Sequence, residues 1–277
     1  MAEFRVVDLG RFKMAIDDDD DDISRQLRDD GWYTDERYEV RIFAEQLRPG
    51  MTVVDLGANI GFYTMLARSI VGQSGRVIAV EPFPASANLI RASVRENGYD
   101  NVTIVEAAAS DHDGSAPLYL STSYGSAHSL LDLGHSGHSE AGAERTTEVS
   151  LRTVDGILEQ LGISRVDVIK MDIEGGESAA LNGMRAVLAR NPHLTLMTEL
   201  WPAGLAHIGS SAYAFLESLA AAGFHFRNID PVRQELRSMT LKQITALVDE
   251  NTRQRHHSIA PADDWQGGWW TNVLCCR

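Results

Sequence analysis

Cysteine is scarce in this chain of 277 residues. The two that occur, Cys275 and Cys276, are adjacent, which suits neither a disulfide framework nor a zinc site. Apolar runs are short as well, far below the roughly 20 residues that a membrane-spanning helix needs. The first residues also lack the basic and apolar layout of a signal peptide. We therefore expect a soluble, cytoplasmic protein with no membrane partner.

Basic residues are too few to balance the acids. The chain has 25 Lys and Arg against 39 Asp and Glu, a formal net charge of −14. Nucleic-acid binding needs a basic surface that replaces the counterions of phosphates, so we expect no nucleic-acid partner. Residues 17–22 are all Asp. We interpret this run as a solvated loop rather than a calcium site, because it lacks the spaced ligands and the glycine of a calcium loop.

Strand-like and helical patterns alternate from residue 52 onward. Strands are predicted at 52–55, 76–80, 102–106, 166–171, 194–199, 223–228 and 271–276, and helices at 61–71, 84–97, 154–161, 177–189 and 211–222. This order predicts an α/β fold with a doubly wound, mostly parallel, seven-stranded sheet and an antiparallel last strand. We expect one domain over residues 1–277, with an N-terminal β/helical addition at 1–50 and a polar loop or lid at 121–146.

A glycine loop follows the first of these strands. Residues 53–64 read V-V-D-L-G-A-N-I-G-F-Y-T, which predicts a strand ending at Asp55, a tight turn with Gly57 and Gly61, and a helix start. A dinucleotide fingerprint would need glycine in place of Asn59 and Phe62. Asp55 would repel a phosphate but can hold an ammonium group. The indicated ligand is a nucleoside joined to an amino acid, as in S-adenosylmethionine.

The next two strands end in residues that agree with such a ligand. Glu81 follows Gly61 by about the twenty residues expected of an acid that binds ribose hydroxyls, and Pro82 comes next. The third strand leads into A-A-A-S at 107–110. Small residues there, including Ala109 and Ser110, would leave room for a flat adenine.

Three segments resemble the signatures of FkbM-type methyltransferases: D-L-G-A-N-I-G-F-Y-T at 55–64, E-P at 81–82 and K-M-D-I-E-G-G-E at 170–177. The similarity covers about residues 35–230, and Asn59 is itself typical of that group. The resemblance implies a Rossmann-like methyltransferase sheet and S-adenosylmethionine-dependent O-methylation, often of a sugar or polyketide hydroxyl in secondary metabolism such as antibiotic biosynthesis. The segment Glu36-Arg37-Tyr38-Glu39 resembles the Y-E found before the first core strand in the family. One of these residues, with Tyr38 as the candidate we choose, could reach the methionine end of the cofactor, or the segment could form a surface helix.

Acids after the fourth and fifth strands are the catalytic candidates. Methyl transfer to a hydroxyl must align the reacting atoms and exclude water, and a base helps to remove the proton. Asp172, Glu174 or Glu199 could orient the hydroxyl, and Asp172 could also contact the cofactor. Glu177 better suits the start of the next helix. Magnesium would suit such oxygen ligands, but no tight cluster of spaced carboxylates marks a site, so we expect no resident metal.

The polar loop at 121–146 contains His128, His135 and His138. His128 is the better candidate base, because Leu130 and Leu131 could anchor that end of the loop against the core. The other two histidines lie among Gly and Ser, where we expect exposed and inert side chains.

The expected partner is a small hydroxylated substrate, and the sequence leaves a homo-oligomer open. Trp265, Trp269 and Trp270 could stack on a flat substrate, or belong to a sheet edge or subunit interface. Two other functions use the same architecture. A nicotinamide-dependent oxidoreductase is disfavoured by Asn59 and Phe62, and a cofactor-binding protein without activity is disfavoured by the intact acids after the fourth and fifth strands.

Overall fold

The computed structural model of this chain describes residues 4–20, 22–121, 128–131, 146–255 and 269–277, and of 253–255 the backbone alone. These residues form strands β1 (Arg5–Asp8), β2 (Lys13–Ile16), β3 (Thr52–Leu56), β4 (Arg76–Val80), β5 (Val102–Val105), β6 (Ala108–Ala109), β7 (Gly114–Tyr119), β8 (Thr146–Arg152), β9 (Val168–Met171), β10 (Thr195–Leu200), β11 (His225–Asp230), β12 (Glu235–Met239) and β13 (Thr271–Cys276). They also form helices α1 (Ile23–Asp29), α2 (Arg37–Gln46), α3 (Phe62–Val71), α4 (Pro84–Glu96), α5 (Val154–Gln160), α6 (Glu177–Asn182), α7 (Arg185–Arg190), α8 (Pro202–His207), α9 (Ala212–Ala221) and α10 (Leu241–Arg255).

The central sheet has the strand order β12-β11-β13-β10-β9-β3-β4-β5. The strands from β10 to β5 in this order are parallel, whereas β13 pairs antiparallel with β10 and β11. The predicted α/β fold and the antiparallel last strand are therefore confirmed. From β3 the chain continues to β4 and β5 on one side, and it returns to β9 and β10 on the other. The switch point between β3 and β9 is where open α/β sheets bind ligands.

Both faces of this sheet are covered. Val54 and Leu56 of β3 pack into one hydrophobic cluster, and Val53 packs into the other, because successive side chains of a strand point to opposite faces. A strand buried on both faces is apolar almost throughout. This explains why the strands next to the switch point could be predicted from runs of apolar residues.

An eighth strand, β12, joins the seven predicted ones at the edge of the sheet. It pairs antiparallel with β11, after a turn in which Gln234 has a φ of +52°. Its sequence E-L-R-S-M is mostly polar and largely exposed. A search for apolar strands misses it because an edge strand buries little side-chain surface.

The single helix predicted at 177–189 is wrong, since the structure has two helices there, α6 and α7. Gly183 lies between them, and a Cβ at this position would stand 1.9 Å from the backbone oxygen of Ser110. The Asp155 N–H donates to the Gly183 carbonyl at 2.9 Å. The break thus depends on contacts with distant residues. Helices α8 and α10 also have no predicted counterpart.

The N-terminal addition consists of a β-hairpin and the helices α1 and α2. Strands β1 and β2 pair antiparallel, and the Ala15 N–H donates to Ser93 Oγ of α4 at 2.8 Å. A separate small sheet, in the order β6-β8-β7, lies between β5 and α5 in the chain. No helix in the described parts of the chain is long and apolar enough to cross a membrane.

Candidate active site

Two loops meet at the switch point of the sheet. Gly57 follows β3 with a φ of +77°, and a Cβ there would stand 1.8 Å from the backbone oxygen of Asp172, directly after β9. Asn59 has a φ of +49°. Glycine takes this left-handed conformation freely, and asparagine takes it more readily than most residues. The backbone conformation of the loop therefore explains why position 57 is glycine and position 59 is asparagine.

The Glu81 carboxylate is held by the same loop. Its Oε2 accepts the Asn59 N–H and its Oε1 accepts the Phe83 N–H, both at 2.8 Å. The residue is 6% exposed, and burial raises its pKa to about 7. Each carboxylate oxygen has a further lone pair. Glu81 can therefore accept two hydroxyl groups while its position is fixed by the backbone.

Two adjoining cavities lie beside these loops. The smaller cavity measures about 60 Å³, and its wall includes Glu81, Pro82, Ala109 and His128. The larger cavity measures about 400 Å³, and its wall includes Glu36, Tyr63, Lys170 and Glu199. Four residues line both: Gly57, Asn59, Asp172 and Glu174. The two cavities therefore form one cleft across the switch point.

Lys170 on β9 organises the wall of the larger cavity. Its Nζ donates to Asp172 Oδ2 at 2.9 Å and lies 4.4 Å from the centroid of the Tyr63 ring. Burial alone would lower its pKa, but the carboxylates of Asp172 and Asp55 outweigh burial and raise it. Lys170 therefore remains charged and holds Asp172 through an ion pair.

Glu36 reaches the same cavity from the segment between α1 and α2. The Tyr63 hydroxyl donates to Glu36 Oε2 at 2.5 Å. Burial raises the pKa of Glu36 to about 7. The N-terminal addition thus supplies a titratable group to a cavity wall that also carries acids at the carboxyl ends of β9 and β10.

Glu174 and Glu199 face the larger cavity from the ends of neighbouring strands. Burial and the nearby Asp172 carboxylate raise the pKa of both well above the usual value. Glu199 Oε2 is buried and has no hydrogen-bond partner among the described residues. Glu199 therefore keeps an oxygen for a group that enters the cavity.

Glu177 has the structural role expected from its place at the start of α6. Its Oε1 accepts the N–H groups of Ile173 and Gly175, at 3.1 and 3.4 Å. These bonds fix the turn that presents Asp172 and Glu174. Among the residues that the structure describes, no three His, Cys, Asp or Glu side chains are arranged to hold a metal ion.

Not all predicted cofactor-binding residues line the cleft. Tyr38, Asp55, Gly61 and Ser110 line neither cavity. Asp55 is 1% exposed, and its Oδ2 accepts the Thr64 hydroxyl at 2.6 Å. Its side chain points into the protein toward Lys170, because consecutive strand residues face opposite sides. Asp55 thus lies near the buried positive charge of Lys170, which lowers its pKa against the larger effect of burial.

The other three residues have packing roles. Tyr38 is buried in α2 with the Arg41 guanidinium 4.8 Å from its ring. Gly61 begins α3 with a φ of +93°, and a Cβ there would lie 3.0 Å from Ile90. The Ser110 N–H donates to the Arg152 carbonyl at 2.9 Å.

His128 lies in the smaller cavity with Glu81, apart from Glu199. Its ring packs edge-on against Phe83 at 4.7 Å, its Nδ1 accepts the Ser121 N–H at 3.2 Å, and burial lowers its pKa. The Ser129 hydroxyl donates to the Glu174 carbonyl at 2.9 Å. This part of the predicted lid is therefore anchored on the loop after β9. His135 and His138 lie outside the described residues.

The loop expected to be solvated is exposed at Asp17, Asp18 and Asp19, but the end of the run next to α1 belongs to the site. Asp22 lines the larger cavity, and Asp20 Oδ2 accepts the Ser24 N–H at 2.9 Å near the start of α1. Trp270 lines the same cavity, whereas Trp269 packs against the core. Trp265 lies outside the described residues.

Sequence reasoning gave Lys170 no role in the site, and it considered Glu36 only within the segment 36–39 from which Tyr38 was chosen. A lysine inside the apolar strand V-I-K-M was the available signal, since a buried lysine needs an acidic partner. Glu36 stands two residues before Tyr38, the residue chosen from that segment. Only the packing of α1 and α2 shows which of the two faces the cleft.

Residues 55–242 match the methyltransferase FkbM domain family. The chain belongs to this family. The matched segment contains the glycine loop, Glu81 and the acids at the carboxyl ends of β9 and β10. The domain is therefore of the methyltransferase type, and S-adenosylmethionine is its expected cofactor.

Similarity to individual proteins is partial. Protein-L-isoaspartate O-methyltransferase 2 of Archaeoglobus fulgidus is 39% identical over 59 residues, 21% of this chain and 27% of that protein. Methyltransferase sdnD of Sordaria araneosa is 24% identical over 200 residues, 62% of this chain and 74% of that protein. The chain spans 27% to 41% of the length of the first curated relatives that it matches. The solved methyltransferase FkbM from Methylobacillus flagellatus KT is 16% identical with a TM-score of 0.45, over 85% of this chain and 50% of that one.

The cleft fits the cofactor of this family. The buried Glu81 carboxylate can accept both ribose hydroxyls, and Pro82 and Ala109 give the smaller cavity an apolar wall for adenine. Gly57 and Asp172 border both cavities, so the amino-acid end would lie where the cavities join. When bound, S-adenosylmethionine supplies a methyl group activated by the sulfonium.

Proposed function

We propose that the enzyme methylates a hydroxyl group of a small molecule, a sugar, glycoside or polyketide of secondary metabolism. The observation that supports this most is the larger cavity, which adjoins the cofactor-binding cavity and carries Asp172 and Glu199 on its wall. Its volume of about 400 Å³ lies in the range of small-molecule sites. Its acidic wall would repel the phosphates of a nucleic acid.

The two acids have different roles in this proposal. Asp172, fixed by the ion pair with Lys170, accepts the proton of the hydroxyl. Glu199, which keeps a buried oxygen without a hydrogen-bond partner among the described residues, orients the acceptor through hydrogen bonds. Trp201 and Trp270 line the same cavity and exclude water from the acceptor.

Location and substrate type are part of the same proposal. Cys275 and Cys276 are both free, which agrees with a reducing compartment such as the cytosol. The FkbM resemblance of the three motifs supports secondary metabolism.

Untargeted mass spectrometry can test this function. Hydroxylated metabolites are incubated with the protein and methyl donor, and products heavier by about 14 daltons, the mass of H replaced by CH₃, are sought. Asp172→Asn serves as the control, because it keeps the side chain's size but removes the base. Fragmentation locates the new methyl group. Methylation confined to carboxyl or nitrogen atoms would contradict the proposal.

A further inference from the structure

His128 lies on the wall of the smaller cavity, together with the carboxylate that fits the ribose hydroxyls of the cofactor. Glu81 and His128 both line this cavity, and Phe83 contacts both residues. The Phe83 N–H donates to Glu81 Oε1 at 2.8 Å, and the centroids of the Phe83 and His128 rings are 4.7 Å apart. Because adenine is joined directly to the ribose, the base enters the cavity that His128 borders when Glu81 holds the sugar.

The segment 128–131 is held by hydrogen bonds to two other parts of the chain. The Ser129 N–H donates to the Tyr119 carbonyl of β7 at 3.1 Å, and the Ser129 carbonyl accepts the Tyr119 N–H at 2.8 Å. The Ser129 hydroxyl donates to the Glu174 carbonyl, in the loop after β9, at 2.9 Å. The residue next to His128 is therefore fixed against β7 and against a loop of the cleft.

One nitrogen of the His128 ring is already used within the protein. Nδ1 accepts the Ser121 N–H at 3.2 Å, so the proton of the neutral ring is on Nε2. Burial lowers the pKa of His128, although the Asp20 carboxylate acts in the opposite direction. The neutral ring is therefore the main form near pH 7, and no described residue accepts a hydrogen bond from its Nε2–H.

The rest of the smaller cavity suits a flat base. Phe83, Ala108, Leu118 and Leu130 pack in one hydrophobic cluster, and all of them except Phe83 line the cavity. Such apolar walls bury the faces of an aromatic ring, while a few polar groups fix its orientation. Adenine has nitrogen acceptors on its edge. A donor such as an imidazole N–H can therefore orient the base in this cavity.

The position of His128 argues against a role as the base for the methyl acceptor. Glu199 and Trp201 line the larger cavity, and His128 is not among the described residues of that wall. Its Nδ1 is occupied by the Ser121 N–H, and its Nε2 carries the proton. Neither nitrogen then has a lone pair available to take a proton from a hydroxyl.

We propose that His128 binds the adenine of the cofactor, with its Nε2–H donating a hydrogen bond to a ring nitrogen of the base. His128 is thus a cofactor-binding residue that orients the adenine beside the ribose held by Glu81. The inference concerns the cofactor alone and applies to any methyl acceptor, so it goes beyond the proposed O-methylation.

Two substitutions separate the two nitrogens of the ring. In His128→Asn, the side-chain oxygen can take the place of Nδ1 and accept the Ser121 N–H, but no donor remains at the position of Nε2. In His128→Gln, the longer side chain brings an NH₂ group near that position. Calorimetry should show that His128→Asn binds S-adenosylhomocysteine about 3- to 10-fold more weakly than the wild type, the effect of one neutral hydrogen bond. His128→Gln should bind it with nearly the wild-type affinity.

The matched control is His193→Asn, because His193 is exposed between α7 and β10 and lines neither cavity. This variant should bind S-adenosylhomocysteine as the wild type does, and circular dichroism checks the fold of all three variants. A folded His128→Asn variant with the wild-type affinity would overturn the proposal. A loss in His128→Gln alone would do the same, since it would leave His128 only the structural role of accepting the Ser121 N–H.

Analogues of S-adenosylhomocysteine identify the acceptor atom. In the 1-deaza, 3-deaza and 7-deaza forms, C–H replaces one ring nitrogen of the adenine. One analogue should bind the wild type about 3- to 10-fold more weakly than the parent compound. In His128→Asn this analogue and the parent should bind alike, because the donor that distinguishes them is gone.

Two results with these analogues would refute the contact. Either no analogue binds the wild type more weakly than the parent compound, or each analogue loses the same factor in the wild type and in His128→Asn. The measurement contains no methyl acceptor. Its outcome is therefore independent of whether the enzyme methylates a hydroxyl group.

Discussion

Replacing Glu81 with glutamine tests ribose recognition while preserving the side chain's size. In the wild type, the two carboxylate oxygens accept the Asn59 and Phe83 N–H groups, and each keeps a lone pair for a ribose hydroxyl. In Glu81→Gln, one oxygen becomes an NH₂ group that cannot accept. We expect binding of S-adenosylhomocysteine to weaken by about 1.5–3 kcal/mol, roughly 10- to 150-fold in Kd.

The pH dependence of binding gives a second readout of Glu81. Its pKa is about 7 in the protein without cofactor, and the charged carboxylate is the stronger acceptor. Binding then favours loss of the proton, so affinity rises with pH. The wild-type Kd should be about tenfold lower at pH 8 than at pH 6, and Glu81→Gln should lack this contribution.

Isothermal calorimetry at the two pH values measures both effects. Glu106→Gln is the matched control, because Glu106 is exposed directly after β5 and lines neither cavity. Thermal melting shows whether each variant is folded. A folded Glu81→Gln variant with the affinity and pH slope of the wild type would refute ribose binding by Glu81.

Three further predictions concern the switch point. Gly57→Ala should lower the free energy of unfolding in urea by about 2 kcal/mol or more. The control Gly98→Ala, where φ is +63° but a Cβ meets nothing within 4 Å, should lower it clearly less. Equal losses of stability in the two variants would contradict the close contact between Gly57 and Asp172. Lys170→Met removes the positive charge that lowers the pKa of the buried Asp55. The folded-state pKa of Asp55 then rises further, so the free energy of unfolding should fall from pH 5 to 8 more steeply than in the wild type; an equal dependence on pH in both proteins would argue against this. Asp172→Asn or Glu199→Gln should reduce turnover by about 10²- to 10⁴-fold, with S-adenosylhomocysteine affinity nearly unchanged; normal turnover in both variants would exclude these acids.

The central strands and the glycine loop were predictable because their causes are local. A strand covered on both faces must be apolar, as β3 is, and the positive φ values of Gly57 and Asn59 limit the residues that can occur there. Glu81 and Asp172 could be placed for a related reason. Each directly follows a parallel strand, and the carboxyl ends of such strands lie at one edge of the sheet.

Only the tertiary structure shows which way the Asp55 side chain points and which groups the acidic residues of the site contact. Asp55 and Glu81 both stand at strand ends, but Asp55 bonds to Thr64 inside the protein, whereas Glu81 lines the smaller cavity. A shift of one residue along a strand moves a side chain to the opposite face of the sheet. The helix break at Gly183 likewise follows from its contact with Ser110.

The charge of the larger cavity depends on contacts between distant parts of the chain. Asp22 and Glu36 belong to the N-terminal addition, whereas Lys170 and Glu199 belong to β9 and β10. The sequence by itself determined the sheet, the loop and the edge where the acids would lie, because periodicity and backbone conformation are local properties. Only the packing of α1 and α2 against that edge decided which carboxyl groups face one another, because that choice depends on buried contacts between segments more than 100 residues apart.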